Sequence, residues 1–318
     1  MATADQLKAL IKSHYELDSS RFTTVAMQVA AYEANNGHNT LAHELKRIID
    51  HSKKTKIKTL PNSVNLPDII QWVEPKTRLE NLIAPQEIKT RLKRIIKEFH
   101  QRGRLEEHGL QNRRKVLLSG PPGTGKTMTS EIIATELGLP LNIILVDKMV
   151  TKYMGETAAK LRQVFDVIGR HTSVYLFDEF DALGSDRSRD NEQGEMRRVL
   201  NSFLQFLEQD KSNSFIIAAT NNINLLDQAL FRRFDDILFY QLPTKEEVIS
   251  LIKNRFAPYK YNFNIESIAP KIFKGLSHAE ITQACDDTIK EMVLNDKRNL
   301  LKSDLMDMLK NKKDVYTK

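Results

Sequence analysis

Eight residues suggest phosphate chemistry. Gly120-Pro121-Pro122-Gly123-Thr124-Gly125-Lys126-Thr127 fits the pattern G-x-x-x-x-G-K-[ST]. Glycines at these places let backbone N–H groups turn inward around phosphate oxygens, Lys126 reaches the β- and γ-phosphates, and the Thr127 hydroxyl can serve Mg²⁺. A helix that starts here adds the positive end of its dipole. The second half of such a site is an acid at a strand end. Val174-Tyr175-Leu176-Phe177 leads into Asp178-Glu179 about 50 residues further on. Asp178 is placed to hold Mg²⁺ through water, and Glu179 to polarise an attacking water, since general-base work needs a carboxylate within hydrogen-bond reach. The sequence has no kinase-like catalytic loop, so water is the expected acceptor.

These residues need strands that end at one edge of a sheet. Lys115 to Ser119 is a short apolar strand feeding the glycine-rich turn, and Thr127 to Leu137 is a helix closed by Gly138. Strand-like runs recur at Leu141 to Val146, Val174 to Phe177, Phe215 to Thr220 and Ile237 to Leu242, with helical segments between them. Short apolar strands alternating with helices predict an α/β fold with a parallel sheet covered on both faces. Glu87 to Phe99 reads as a helix before the first of these strands.

Flanking pieces differ in texture. Residues 1–51 read as a small helical module. Leu7, Leu10 and Ile11 mark one apolar face, and a second helix runs from Asp18 or Ser19 past Phe22, Val25, Met27, Val29, Ala30 and Tyr32 to Gly37. Asn39 caps a third helix with Leu41, Leu45, Ile48 and Ile49. Residues 52–73, with Lys53, Lys54, Lys56, Lys58, Pro61 and Pro67, read as a linker in which extended chain resumes near Ile69. The α/β domain is expected over 74–243. Residues 244–318 read as an all-helical lid whose helices are capped by Thr244, Ser277 and Ser303.

Composition narrows the class. The chain has 318 residues, 41% hydrophobic and 28% charged, which is a globular make-up rather than a disordered one. A single cysteine, Cys285, excludes a disulfide scaffold and a Cys-rich zinc site, and it reads as a packing residue. No apolar run is long enough for a bilayer, and Met1 to Leu10 lacks signal-peptide character, so a cytoplasmic protein without a membrane partner is expected. There is no His-Glu-x-x-His protease motif. The net charge is +7. From Glu87 to Lys115 ten Lys/Arg face four acids, which accounts for most of that surplus. Such a run suits nucleic acid, and equally a solvated helix face or one turned to a neighbouring subunit.

From Glu74 to Leu309 the sequence resembles AAA-family ATPases, which have a P-loop NTPase (AAA+) sheet and a C-terminal helical lid. Asp178-Glu179-Phe180-Asp181-Ala182-Leu183 matches the family's second phosphate motif, and Ala219-Thr220-Asn221 its sensor-1 segment. The resemblance implies that Asn221 orients the attacking water or contacts the γ-phosphate. Leu226 to Asp235 resembles the second region of homology, which makes Arg232 and Arg233 arginine fingers supplied to a neighbouring subunit. Gly275-Leu276-Ser277-His278-Ala279-Glu280-Ile281 resembles the lid motif, so Gly275, His278 and Ala279 are expected near adenine and ribose. Alanine stands where other AAA+ branches carry a sensor-2 arginine. Leu82 and Ile83 match the adenine-pocket segment, although the family's Asp-Ile-Gly-Gly is absent there. Met128, next after the phosphate motif, is grouped with the nucleotide contacts.

The resemblance also implies a substrate. Lys152-Tyr153-Met154-Gly155 is similar to the pore loop of AAA unfoldases, in the version found in katanin, spastin and the ESCRT-disassembly ATPases. A loop with one large ring and one pliable thioether can grip almost any peptide side chain. Ser185 to Gln193 stands where a second pore loop would lie. The expected assembly is a homo-oligomeric ring, a hexamer, using ATP and Mg²⁺ on a polypeptide substrate. Residues 1–51 do not match the length of the microtubule- or ESCRT-interacting module. The whole layout is similar to bacterial AAA ATPases encoded beside a subtilisin-like protease, some of which serve in phage defence or plasmid competition. Two other readings therefore stand beside remodelling. One is an ATP-gated regulator of a partner protease, docked through 1–51; the other is a nucleic-acid-dependent motor.

Overall fold

The computed structural model describes residues 8, 11–13, 19–38, 40–47, 68–149, 156–183, 190–222, 228–268 and 270–314. Two compact units divide the chain, Met1–Lys58 and Thr59–Lys318. In the first, helix α1 spans Ser19–Asn35. It ends with His38 N–H donating to Glu33 O at 2.9 Å and Gly37 N–H to Ala34 O at 3.1 Å. Gly37 has φ +84°. This Schellman ending needs a left-handed residue, which glycine supplies without a Cβ clash. Val25, Val29 and Ala30 are buried along with Ala42 of the helical stretch 40–47. Phe22 and Tyr32, expected on the apolar face, stay partly exposed. Leu7, Leu10, Asn39, Ile48 and Ile49 lie outside the described residues.

The second unit is built on a six-stranded sheet. Its strands are β1 (Ile70–Val73), β2 (Lys115–Ser119), β3 (Leu141–Ile144), β4 (Val174–Phe177), β5 (Phe215–Thr220) and β6 (Asp236–Phe239), in the order β1-β3-β4-β5-β2-β6. All neighbours are parallel except β1, which runs antiparallel along β3. β1 falls inside the stretch expected to be linker. A run of only four residues carries little strand signal alone; pairing with β3 and burial of Ile69 and Ile70 draw them into the sheet. The α/β fold follows from the doubly apolar strands. Val116 and Leu118 of β2 face helices α2 (Gln86–His100) and α3 (Lys126–Leu137), while Leu117 faces α4 (Glu156–Arg170) and α5 (Asp190–Gln209). Each fully buried Leu, Ile or Phe contributes about 1.5–3 kcal/mol, so a strand apolar on both faces is stable only between two helical layers. α2 shows the matching pattern, with Ile88, Leu92, Ile95 and Phe99 buried on one stripe and its basic residues opposite.

Beyond Pro243 the regular elements among the described residues are helices, apart from one bridge between Tyr261 and Leu300. Helices α6 (Lys245–Phe256), α7 (His278–Leu294) and α8 (Lys302–Asp314) close on their own core of Val248, Ile252, Phe256, Ile281, Leu305 and Leu309. Cys285 is buried there, and burial pushes its thiol up to about 12, which suits packing and not nucleophilic work. Thr244 and Ser277 each head a complete capping box with Glu247 and Glu280. Ser303, by contrast, lies within the first turn of α8, since the helix already begins at Lys302. Replacing Thr244 by Ala is expected to destabilise the lid by about 1 kcal/mol. Amide exchange in the first turn of α6 measures this, and unchanged protection there would rule out the cap as a stabilising contact.

Candidate active site

β2 delivers the phosphate loop to one edge of the sheet. Tyr240 N–H donates to Ser119 O at 2.6 Å, so backbone presses on backbone where the loop begins. A Cβ at Gly120, which has φ +152°, would stand 2.3 Å from Tyr240 O. Only glycine fits there. Thr124 Oγ1 donates to Pro121 O at 2.7 Å and closes the loop from inside. Lys126, only 7% exposed, donates from Nζ to Gly120 O at 2.7 Å, Pro121 O at 2.9 Å and Asn221 Oδ1 at 2.8 Å. Burial lowers its pKa, while the charges of Asp178 and Asp181 work to raise it. The ammonium group is thus held against the loop.

The acids come from the end of β4. Thr127 Oγ1 donates to Asp178 Oδ2 at 2.9 Å. A hydroxyl and a carboxylate this close form a hard-oxygen pair, the donor chemistry Mg²⁺ prefers, so these residues fit the expected ion. Glu179 has φ +51°, unusual for a residue with a Cβ, and its N–H donates to Asp178 Oδ1 at 3.0 Å. Such a conformation costs about 1–3 kcal/mol and leaves the Glu179 side chain exposed at the strand tip. Asn221 follows β5, and its N–H donates to Asp181 Oδ1 at 3.2 Å. Sequence reasoning assigned no role to Asp181; its place in the Asp-Glu-Phe-Asp run was the available signal.

The lid meets the phosphate loop directly. Ala279 N–H donates to Gly123 O at 3.0 Å, and a Cβ at Gly123 would lie 2.6 Å from Ser277 Oγ. His278 is buried, and neither ring nitrogen has a hydrogen-bond partner among the described residues. Burial holds its pKa below the usual imidazole value, against the charge of Glu247. Buried polar atoms normally have partners, so His278 stays among the candidate ligand contacts. Gly275 has φ +96° with open space where a side chain would be. Leu82 is different: its side chain is 2% exposed and belongs to the core beneath α2, which leaves its backbone to meet a base, whereas Ile83 is half-buried. Met128 likewise packs against that core.

The two candidate arginines lie elsewhere. Arg232 and Arg233 precede β6, whose first residue Asp236 pairs with Val116 near the start of β2, while the phosphate loop follows the far end. At roughly 3.3 Å per residue, about 16 Å of strand separates Lys115 from Gly120. Arg233 forms an ion pair with Glu208 at the end of α5. Arg232 is exposed and has no ion pair among the described residues.

Comparison with known proteins decides the family. The model for the "ATPase family associated with various cellular activities (AAA)" matches residues 116–242. An AAA family ATPase of Sinorhizobium fredii, y4kL, is 32% identical over 311 residues, covering 96% of this chain and 93% of that protein. The chain belongs to the AAA family of ATPases. It is an ATP-hydrolysing enzyme. A proteasome-activating nucleotidase of Methanoregula boonei is 31% identical over 207 residues, 62% of this chain, which spans 47% of that relative. The crystal structure of the FIGL-1 AAA domain covers 79% of this chain and 90% of its own at a TM-score of 0.61 and 23% identity, a likeness of fold.

In this AAA ATPase four of the ten basic residues before the phosphate loop have acidic partners within the chain. Arg91 pairs with Asp236 and Glu87, Arg94 with Glu98, Arg113 with Glu98 and Asp236, and Arg114 with Asp210. Arg102 lies over the Phe99 ring. Lys152-Tyr153-Met154-Gly155 lies outside the described residues. Of the expected second pore loop, Asp190 to Gln193 are helical, forming the start of α5. The ATPase has no described helix long and apolar enough to cross a membrane.

Proposed function

We propose that this AAA ATPase works as a ring of identical chains, hydrolysing Mg-ATP at each subunit boundary to pull on a polypeptide. One observation carries the reading: the chain's own arginine pair stands at the opposite end of the sheet from its own phosphate loop. A site with a phosphate cradle and remote arginines works when the next copy supplies them. On one side of the boundary Lys126 and the loop amides from Gly120 to Thr127 hold the phosphates. Thr127 and Asp178 hold Mg²⁺, which when bound offsets charge across the phosphates. Glu179 takes a proton from water, and Asn221 orients that water. Ile83, Gly275, His278 and Ala279 border the adenosine. On the other side Arg232 stabilises the spreading phosphoryl charge, as a guanidinium fork suits.

Lys152, Tyr153, Met154 and Gly155 are the grip on substrate. Protein remodelling is favoured over nucleic-acid transport because four of the ten basic residues of that run are ion-paired within the chain, Arg102 lies over the Phe99 ring and Lys115 donates to a backbone carbonyl. The relatives named for proteasome activation support the same choice. The separate compactness of Met1–Lys58 supports a docking role for that unit, which can select substrates or a partner protease. The test is ATP turnover with an unfolded protein or with DNA added. Stimulation by the unfolded chain, abolished by Tyr153→Ala, is expected; stimulation by DNA alone would favour the motor reading.

A further inference from the structure

Arg114 and Lys115 have a task that neither the phosphate cradle nor a nucleic-acid surface explains. The Arg114 side chain forms an ion pair with the Asp210 carboxylate and donates to Asp210 O at 2.5 Å. Lys115 Nζ donates to Leu207 O at 2.5 Å. Leu207 lies in the last turn of α5 and Asp210 directly follows the helix, where carbonyls lack partners within it. The backbone of Arg114 and Lys115 is held as well. Asp235 Oδ2 accepts the N–H groups of Arg114 and Lys115, each at 2.9 Å, and Asp235 N–H donates to Lys115 O at 2.8 Å. Asp235 lies two residues beyond Arg233, and Glu208 in the same last turn of α5 pairs with Arg233.

The start of β2, the end of α5 and the segment carrying both arginines are therefore joined into one frame. A merely solvated basic run would leave its guanidinium in water, yet the Arg114 and Asp210 side chains are only 15% and 5% exposed. Buried ion pairs contribute little net stability compared with apolar replacements, so stability alone is a thin account of this one. The geometry it imposes is specific.

We propose that Arg114, acting with Asp235, is a positioning residue for the arginine pair: it sets where Arg232 and Arg233 stand on the face this chain offers to the next copy. The inference rests on the reading that the arginines act in trans. It also gives the frame a link to the chain's own site, because β2 joins the two in five residues.

Mixing experiments test this. Full-length Arg114→Gln protein is expected to lose about tenfold in kcat, with its KM for ATP within about twofold of the parent, since only a group met in the transition state moves. Subunits carrying Lys126→Ala have a dead site but intact arginines, so adding them should restore turnover at the intact sites of Arg114→Gln subunits. A variant disturbed in its own site would not be rescued and would show a raised KM. Arg232→Ala subunits, treated identically, are the control. Parental turnover by Arg114→Gln, or no rescue where Arg232→Ala subunits are rescued, overturns the proposal. Parental turnover by Arg232→Ala would instead overturn the trans reading beneath it. Should Arg114→Gln fail to fold, Asp235→Asn is put through the same mixing with the same expected rescue.

Discussion

Glu179→Gln should bind ATP and stop hydrolysing it. The amide keeps the size and shape of the side chain and therefore the turn at φ +51° on which it stands. It loses the ability to take a proton from water. A positioned general base contributes about 10²–10⁴-fold, so turnover should fall within that range while the phosphate cradle is untouched. Lys126 keeps its bonds to Gly120 O, Pro121 O and Asn221 Oδ1, and Thr127 keeps Asp178. Nucleotide titration and single-turnover hydrolysis on the same preparation separate the two effects. Turnover within a fewfold of the parent would remove Glu179 from the role of base. Loss of binding along with turnover would show that the residue shapes the loop instead.

Arg232→Ala is the second large effect. Arginines supplied to a phosphoryl-transfer site contribute about 10³–10⁵-fold, and Arg232 is the one without an internal ion pair among the described residues. Arg233→Ala should cost less, because Arg233 is engaged by Glu208 and part of its loss is structural. ATP affinity of the unassembled chain should be unaffected by either change, since both residues lie at the other end of the sheet from the phosphate loop. The measurement is steady-state turnover of each variant alone and mixed with Lys126→Ala subunits. Equal, small losses for both variants, with no recovery on mixing, would place these arginines outside the reaction. A larger loss for Arg233 would mean that the Glu208 pair opens on assembly and that the roles are reversed.

Much of the site was legible in the chain because its chemistry is local. The phosphate loop, its strand and its helix are contiguous in residues 115–137, so one stretch specifies cradle, lysine and hydroxyl together. Asp178-Glu179 could be read the same way, as acids at the end of an apolar strand. The caps at Thr244 and Ser277 were equally plain, since each acts on the backbone three residues on; their glutamate partners emerge from the folded helices. Expectations that depended on packing fared differently. Leu82 matched an adenine-pocket segment by its neighbours in sequence, yet its side chain turns into the core under α2. β1 reads from sequence only as extended chain within the linker bounds, because its place in the sheet comes from pairing with β3.

The basic run from Glu87 to Lys115 marks the division most clearly. Composition determined that a surplus of charge existed, and local pattern determined the ATP site beside it. Only the folded chain decided what those charges face. Asp210, Asp235 and Asp236 lie about 95 to 145 residues away in sequence and meet Arg91, Arg113 and Arg114 because β2 is flanked by β5 and β6. Side-chain types and short spacings act through neighbouring backbone, so they can be read along the chain. The partners of a charge, and the end of a sheet on which an arginine stands, depend on which strands are adjacent, and strand order is a property of the packed core.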